Sequence, residues 1–265
     1  MNVALANAKL GETIFMRLCK WEELPENMRV EEVRKYYDVL TKKRASLVCK
    51  RIFDIVVALL MLIILSPVFL VLAIVIKIDS KGPVLYRQVR VTQYGKEFRI
   101  HKFRSMCVGA DREGEQVTSA GDIRITGVGK IIRKCRLDET AQLIDVLRGT
   151  MTFVGVRPEV PKYIKQYNPE WLATLLLPAG VTNLTSICYK DEDILLGNAD
   201  DSGTAYIEKV LPEKMKWNLN CLERFNFFLD IKLMFMTLFS MLGRDYHVLI
   251  ERESESMATV EIKKS

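Results

Sequence analysis

Seven consecutive residues hold the densest chemistry in this chain: Arg133-Lys134-Cys135-Arg136-Leu137-Asp138-Glu139. Two adjacent carboxylates stand within one or two turns of Lys130, Arg133, Lys134 and Arg136. Nearby cations favour ionised carboxylates, and ionised carboxylates act as nucleophiles or hold a divalent metal. Cations and metal are also what a migrating phosphoryl group needs, because its charge lies on the non-bridging oxygens. An isolated Asp-Glu in a helix is more often solvated surface. Two features set this one apart: the cations beside it, and a second phosphate-competent loop that carries Arg157 between Val156 and Pro158. A further basic set, Arg87, Arg90, Arg99, Lys102 and Arg104, could grip phosphates or simply face water. Histidine triads have little to work with, since the only histidines are His101 and His247. The six cysteines form no C-x-x-C pair, which argues against zinc and for reduced thiols in a cytosolic setting.

The elements that must position these groups are legible in outline. Residues 125–149 are helix-rich, with Ile131, Ile132, Leu137, Leu143, Ile144 and Leu147 as apolar positions and Gly149 as the stop. Segments 84–91 and 97–102 predict a β-hairpin across the turn at 92–96. Residues 110–122 form a loop with no phosphate-loop or dinucleotide pattern, 153–161 a tight loop around Arg157, and Pro178-Ala179-Gly180 begins another loop. Residues 206–222 predict a helix. Residues 225–242 are apolar but for Asp230 and Lys232, and predict an amphipathic helix against a membrane plane, with a core helix as the alternative.

All of this follows one long apolar run at 52–78. From 55 to 76 it carries no charge, roughly 20 residues, enough to cross a bilayer as one helix. Ser66-Pro67 interrupts it near the middle, and Pro67 frees the carbonyl of Ile63, for which the Ser66 hydroxyl is a candidate partner. Basic residues flank both ends, Lys50 and Arg51 before and Lys77 and Lys81 after, and such flanks favour the cytoplasmic side. A re-entrant helix broken at Ser66-Pro67 satisfies both flanks, with arms of about 14–16 Å; a Pro-kinked single span is the alternative. No basic start with a long apolar core opens the chain, so the run itself is the expected anchor. The net charge of +6 suits an anionic partner, a lipid surface or a phosphorylated substrate, without choosing between them. Residues 1–49 read as one or two amphipathic helices: a packing arm, a homodimer element or a regulatory extension.

Many short motifs, in order, resemble the bacterial sugar transferases, the monotopic polyprenol-phosphate phosphoglycosyl transferases. They are Lys50-Arg51-x-x-Asp54, Ser66-Pro67, Gly82-Pro83-Val84-Leu85-Tyr86-Arg87-Gln88 and Lys102-Phe103-Arg104-Ser105-Met106. Asp122-Ile123-Arg124-Ile125-Thr126, Arg133 with Leu137-Asp138-Glu139, and Phe153-Val154-Gly155-x-Arg157-Pro158 complete the set, and the resemblance runs from 50 to 242. It implies a mostly helical α+β fold: a re-entrant helix-break-helix hairpin at 50–78, a cytosolic domain at 79–250 with a small β-hairpin and interfacial helices, and a disordered tail at 251–265. It also implies a membrane enzyme that moves a phosphosugar from a nucleotide sugar, usually a uridine one, to polyprenol phosphate and releases UMP. That enzyme would sit on the cytoplasmic face of the bacterial inner membrane, have no nucleic-acid partner, and serve the first membrane step of glycoconjugate assembly.

Residue by residue, Asp138 matches the family nucleophile, which becomes an acyl phosphate before polyprenol phosphate takes the phosphosugar. Glu139 matches the second carboxylate, and Mg2+ would bridge Asp138, Glu139 and the diphosphate. Arg133, Arg157, Pro158, Lys102, Arg104 and Gln142 fall at phosphate- and substrate-binding positions. Lys50 and Arg51 would lie at headgroup level beside the Ser66-Pro67 break. The chain departs from the family at Thr140-Ala141, Val156, Ala179 and Asn183, the last three in loops expected near the nucleotide sugar. Those departures leave the sugar open and motivate one rival, a non-catalytic membrane-tethered scaffold of the same fold.

Overall fold

The computed structural model describes residues 18–110, 122–188 and 206–241. The expected tail at 251–265 and most of the loop at 110–122 lie outside the described residues. Helix α1, Glu31–Lys42, buries Val33, Tyr36, Tyr37 and Leu40, the three-and-four spacing of one helical face. That face packs with Leu24, Met28, Leu175, Leu176, Leu219 and Leu222, so of the three roles open to the N-terminal residues the fold displays packing.

Helix α2, Arg44–Asp79, runs for 36 residues, about 54 Å at 1.5 Å per residue. Among the described residues it is the one helix long and apolar enough to cross a membrane. It continues through Ser66–Pro67 rather than ending there. The reason is visible at the proline: the Ser66 hydroxyl donates to the Ile63 carbonyl at 2.8 Å, taking up the acceptor that Pro67 cannot serve. Leu47, Lys50, Arg51, Asp54 and Ala58 are buried at one end and Leu72 and Ile76 at the other. Val56, Leu60, Ile63, Leu70, Val71 and Ile74 lie exposed on the outside.

Lys50 and Arg51 correct the expectation of headgroup contact. Each is only 2% exposed. Lys50 Nζ donates to the Val154 carbonyl at 2.7 Å and to Asp230 at 2.6 Å. Arg51 donates to the carbonyls of Val146 and Leu147 at 2.6 and 3.0 Å. Asp54 accepts from the Thr152 hydroxyl at 2.6 Å and the Phe153 amide at 3.3 Å. The physical reason is periodicity: positions 50, 51 and 54 share the face of Leu47 and Ala58, and that face meets carbonyls and amides that need partners.

Strands β1, Leu85–Val91, and β2, Glu97–Phe103, pair antiparallel from Leu85↔Phe103 to Val91↔Glu97. This is the expected hairpin to within one residue at each end. Helix α3, Gly127–Lys134, a 3-10 turn at Leu137–Gln142 and helix α4, Leu143–Arg148, fill the helix-rich segment. Gly149 ends α4 at φ 82°, a conformation that favours glycine. Strands β3, Met151–Val154, and β4, Ala179–Thr182, pair in parallel. The expectation of a loop beginning at 178–180 is therefore corrected beyond Pro178. Two four-residue strands joined by a long connection carry no local period to read. Between them lies helix α5, Pro161–Ile164, and after them helix α6, Leu184–Cys188. Helices α7, Leu211–Glu223, and α8, Phe227–Met241, close the described chain. Helix α8 is two-faced: Asp230 and Leu233 are buried, while Phe228, Phe235 and Leu238 are exposed.

Candidate active site

The carboxylate pair sits on the 3-10 turn Leu137–Gln142, entered through Arg136 in a left-handed conformation at φ 55°. Helix α3 leads into it, capped by the Thr126 hydroxyl, which accepts from the Gly129 amide at 3.0 Å. At Gly129 any Cβ would collide with the Ser105 carbonyl, so glycine lets α3 lie directly on the chain leaving β2. On β2, Lys102 Nζ reaches Glu139 Oε1 at 3.0 Å. From the loop after β3, Arg157 donates to Glu139 through both terminal nitrogens, one of them at 3.3 Å to Oε2. Two cations from distant segments thus hold one carboxylate.

Its neighbour is different. Among the described residues, no side chain donates a hydrogen bond to the Asp138 carboxylate, which lines the open cleft. The electrostatics follow the geometry. Burial and the Glu139 charge push the Asp138 carboxyl above its ordinary value, with Lys102 and Arg133 opposing. Burial would raise Glu139 too, but Arg157 and Lys102 hold it well below the usual carboxylate range. Burial likewise lowers Lys102, against the pull of Glu139. Adjacent carboxylates with environments driven apart are a common arrangement for divided roles.

The cleft has a volume of about 1820 Å³. Arg87, Arg90, Arg99, Arg124, Arg133, Lys134, Arg136 and Lys214 join Lys102 and Arg157 in its lining, against the acids Asp138, Glu139 and Glu159. Such a surface concentrates polyanions. Arg90 donates to the Pro158 carbonyl at 3.1 Å and to Gln88 at 2.7 Å, fastening the Arg157 loop to β1. Arg124 donates to Asp122 at 2.6 Å, and that hydrogen bond lowers the Asp122 carboxyl to about 2.

Of the predicted site residues, Asp138, Glu139, Lys102, Arg104, Arg133, Arg157 and Pro158 line the cleft. Arg104 has another commitment. Its guanidinium donates to the carbonyls of Ile76, Ser80 and Lys81 at 3.3, 2.7 and 3.1 Å, capping the end of α2. Arg104 also lines the cleft, so it meets the site while its guanidinium is bonded to helix-end carbonyls, which attract a cation as a phosphate does. Gln142 is buried beneath the turn, outside the cleft lining. Ser66 and Pro67 lie at the exposed middle of α2. Sequence reasoning missed Asn218 and did not give Asn183 a binding role, although both line the cleft. Their signal is tertiary, as they meet only through folding.

Among the described residues, no group of three or more metal-binding side chains gathers. The Asp138–Glu139 pair nevertheless suits Mg2+, which takes one or two carboxylates and completes its shell with water and substrate phosphate. Glu139 already bonds Lys102 and Arg157, whereas Asp138 beside it has no side-chain donor among the described residues.

The model of the bacterial sugar transferases matches residues 45–244, and the chain belongs to that family. It is 33% identical over 192 residues to a UDP-N-acetylgalactosamine-undecaprenyl-phosphate N-acetylgalactosaminephosphotransferase of Aeromonas hydrophila, covering 71% of this chain and 42% of that protein. A UDP-glucose:undecaprenyl-phosphate glucose-1-phosphate transferase of Klebsiella pneumoniae is 36% identical over 197 residues, 73% of this chain and 40% of that one. A protein of the same description in Caulobacter vibrioides is 31% identical over 199 residues, 74% of this chain and 70% of its own. The chain thus spans about two fifths of the length of the first two relatives.

Proposed function

We propose that this chain is a phosphoglycosyl transferase, moving a phosphosugar from a UDP-sugar to a polyprenol phosphate in a bacterial inner membrane. The observation that carries the proposal is the contrast within the dyad: Glu139 held by Lys102 and Arg157, Asp138 open to a basic cleft. An Asp138 carboxylate oxygen attacks the sugar-proximal phosphorus. The bond from that phosphorus to the bridging oxygen breaks, its electron pair leaves with UMP, and an acyl phosphate remains on Asp138. An oxygen of the polyprenol phosphate then attacks the same phosphorus, restoring the carboxylate and giving a polyprenyl diphosphosugar. Arg133 faces the charge that develops, and Lys102 and Arg157 keep Glu139 ionised beside it. Asp138 and Glu139 are the residues that would hold Mg2+, which when bound neutralises charge on the diphosphate.

Helix α2 supports a re-entrant placement. Lys50, Arg51 and Asp54 fasten one end to the soluble domain, and Arg104 and the Asp79 contact to the Val128 amide fasten the other. Ties from both ends of the helix to one charged domain support entry and exit through the same leaflet, and Ser66 and Pro67 stand at the exposed middle where α2 would bend to do so. Nucleotide sugars meet that domain on the cytoplasmic face.

The test uses UDP-sugar labelled in the sugar and its phosphate, in the presence of Mg2+. Release of UMP and retention of label on the protein, both lost in Asp138→Asn, are expected. Release of UMP undiminished in Asp138→Asn overturns the mechanism.

A further inference from the structure

Where β4 ends, a chain of buried polar groups faces the cleft and plays no part in the dyad. The Ser186 amide donates to Asn183 Oδ1 at 2.7 Å, and the Thr185 hydroxyl donates to the same oxygen at 2.9 Å. Asn183 Nδ2 donates to Asn218 Oδ1 at 3.0 Å. A backbone N–H can only donate, so the Ser186 contact fixes which atom of Asn183 is oxygen. The orientation of Asn218 follows from that. Both asparagines are 5% exposed and Thr185 is 3% exposed, and all three line the cleft. The outer atom of Asn218 is therefore Nδ2, a donor with no hydrogen-bond partner among the described residues.

We propose that Asn218, with Thr185 beside it, reads the 2-acetamido group of the donor sugar, so that this chain prefers acetamido sugars to simple hexoses. The inference rests on the transferase function above and names its substrate class. With no protein partner, that donor at the cleft wall is open to water until a ligand oxygen takes the water's place. An acetamido carbonyl accepts and has no hydrogen of its own to place. Its neighbouring N–H can donate to the Thr185 oxygen, whose own hydrogen is already spent on Asn183. A hexose hydroxyl carries its donor and acceptor on a single oxygen, whereas the acetamido group spreads them over two atoms and can serve Asn218 and Thr185 separately; Asn183 Oδ1, which already accepts two hydrogen bonds, offers little to either.

Location favours the sugar over the base. The Gly155 amide donates to the Thr182 carbonyl at 3.0 Å and the Gly180 amide to the Val156 carbonyl at 2.8 Å. Asn183 therefore stands beside the loop that carries Arg157 to Glu139. The sugar is bonded directly to the phosphorus under attack, whereas the uracil lies a second phosphate and a ribose away.

The test measures UMP release by the full chain from UDP-GlcNAc, UDP-GalNAc, UDP-glucose and UDP-galactose. The acetamido donors are expected to lead in kcat/KM by about ten- to a hundredfold. Asn218→Asp, which keeps the shape and removes the donor, should pull that ratio towards one while leaving the Kd for UDP unchanged. Equal or faster release from the simple hexoses by the unaltered chain overturns the proposal without any variant, and leaves the transferase function standing. So does an Asn218→Asp ratio that stays the same, or a Kd for UDP that weakens along with it, since the amide would then read the uracil. No release from any of the four sugars sinks the transferase function and this subsite with it.

Discussion

Two clusters of lysine and carboxylate bridge distant parts of this chain, and they differ in one respect. Under α2, Lys50 joins Asp230 while Asp54 takes the Thr152 hydroxyl and the Phe153 amide; the Lys50 and Asp230 side chains are 3% and 12% exposed. In the cleft, Lys102 and Arg157 join Glu139 with side chains 21%, 41% and 17% exposed. The residue types are nearly the same. In the closed cluster every carboxylate found has a partner, whereas in the open one the adjacent Asp138 has no side-chain donor among the described residues. Charge that is fully paired inside a protein holds segments together, and charge left facing a cleft is free to react.

Separate losses would break that comparison or sharpen it. The largest effect is expected at the closed cluster. Lys50→Met should cost about 3–5 kcal/mol, because it leaves Asp230 buried without its cation. Denaturant unfolding in detergent measures this, and a loss under about 1 kcal/mol would make the two clusters equivalent.

At the open cluster the same kind of change should spare the fold and strike the rate. Glu139→Gln is expected to lower UMP release by about 10²–10³-fold, with a smaller loss of unfolding free energy than Lys50→Met because Lys102, Arg157 and Glu139 are all partly exposed. Loss of folding on the scale of Lys50→Met would show that Glu139 is a structural residue.

The smallest and most diagnostic effect is the acid limb of the pH profile. Asp138 must be ionised to attack, and its carboxyl is raised by burial and by Glu139, so activity should fade above the ordinary aspartate range as pH drops. Glu139 is held low, so its own protonation lies further into acid and does not set this limb. In Glu139→Gln the neighbouring negative charge disappears, and the limb should move to lower pH. A limb that stays put would assign it to another group.

The dyad, the Arg157 loop and the β-hairpin could be seen in the chain before folding, because each is local: adjacency in sequence, a loop between proline and glycine, a run of alternating strand residues. The Ser66 hydroxyl on the Ile63 carbonyl was legible for the same reason, being three residues away. The fates of Lys50, Arg51 and Arg104 were not. Basic residues beside an apolar run suggest lipid headgroups or phosphates. Only the packing of α2 reveals that the partners are the carbonyls of α4, β3 and the end of α2 itself. The pairing of Asn183 with Asn218, 35 residues apart, has no local sign either.

By itself the sequence determined where the carboxylate pair and the long apolar helix lie, because charge type, adjacency and apolar length are properties of neighbouring residues. The tertiary structure decided which of those charges are spent on holding the fold and which stay open. Burial and partnership depend on the segments that meet, and β3, β4 and α2 meet only once the chain has folded.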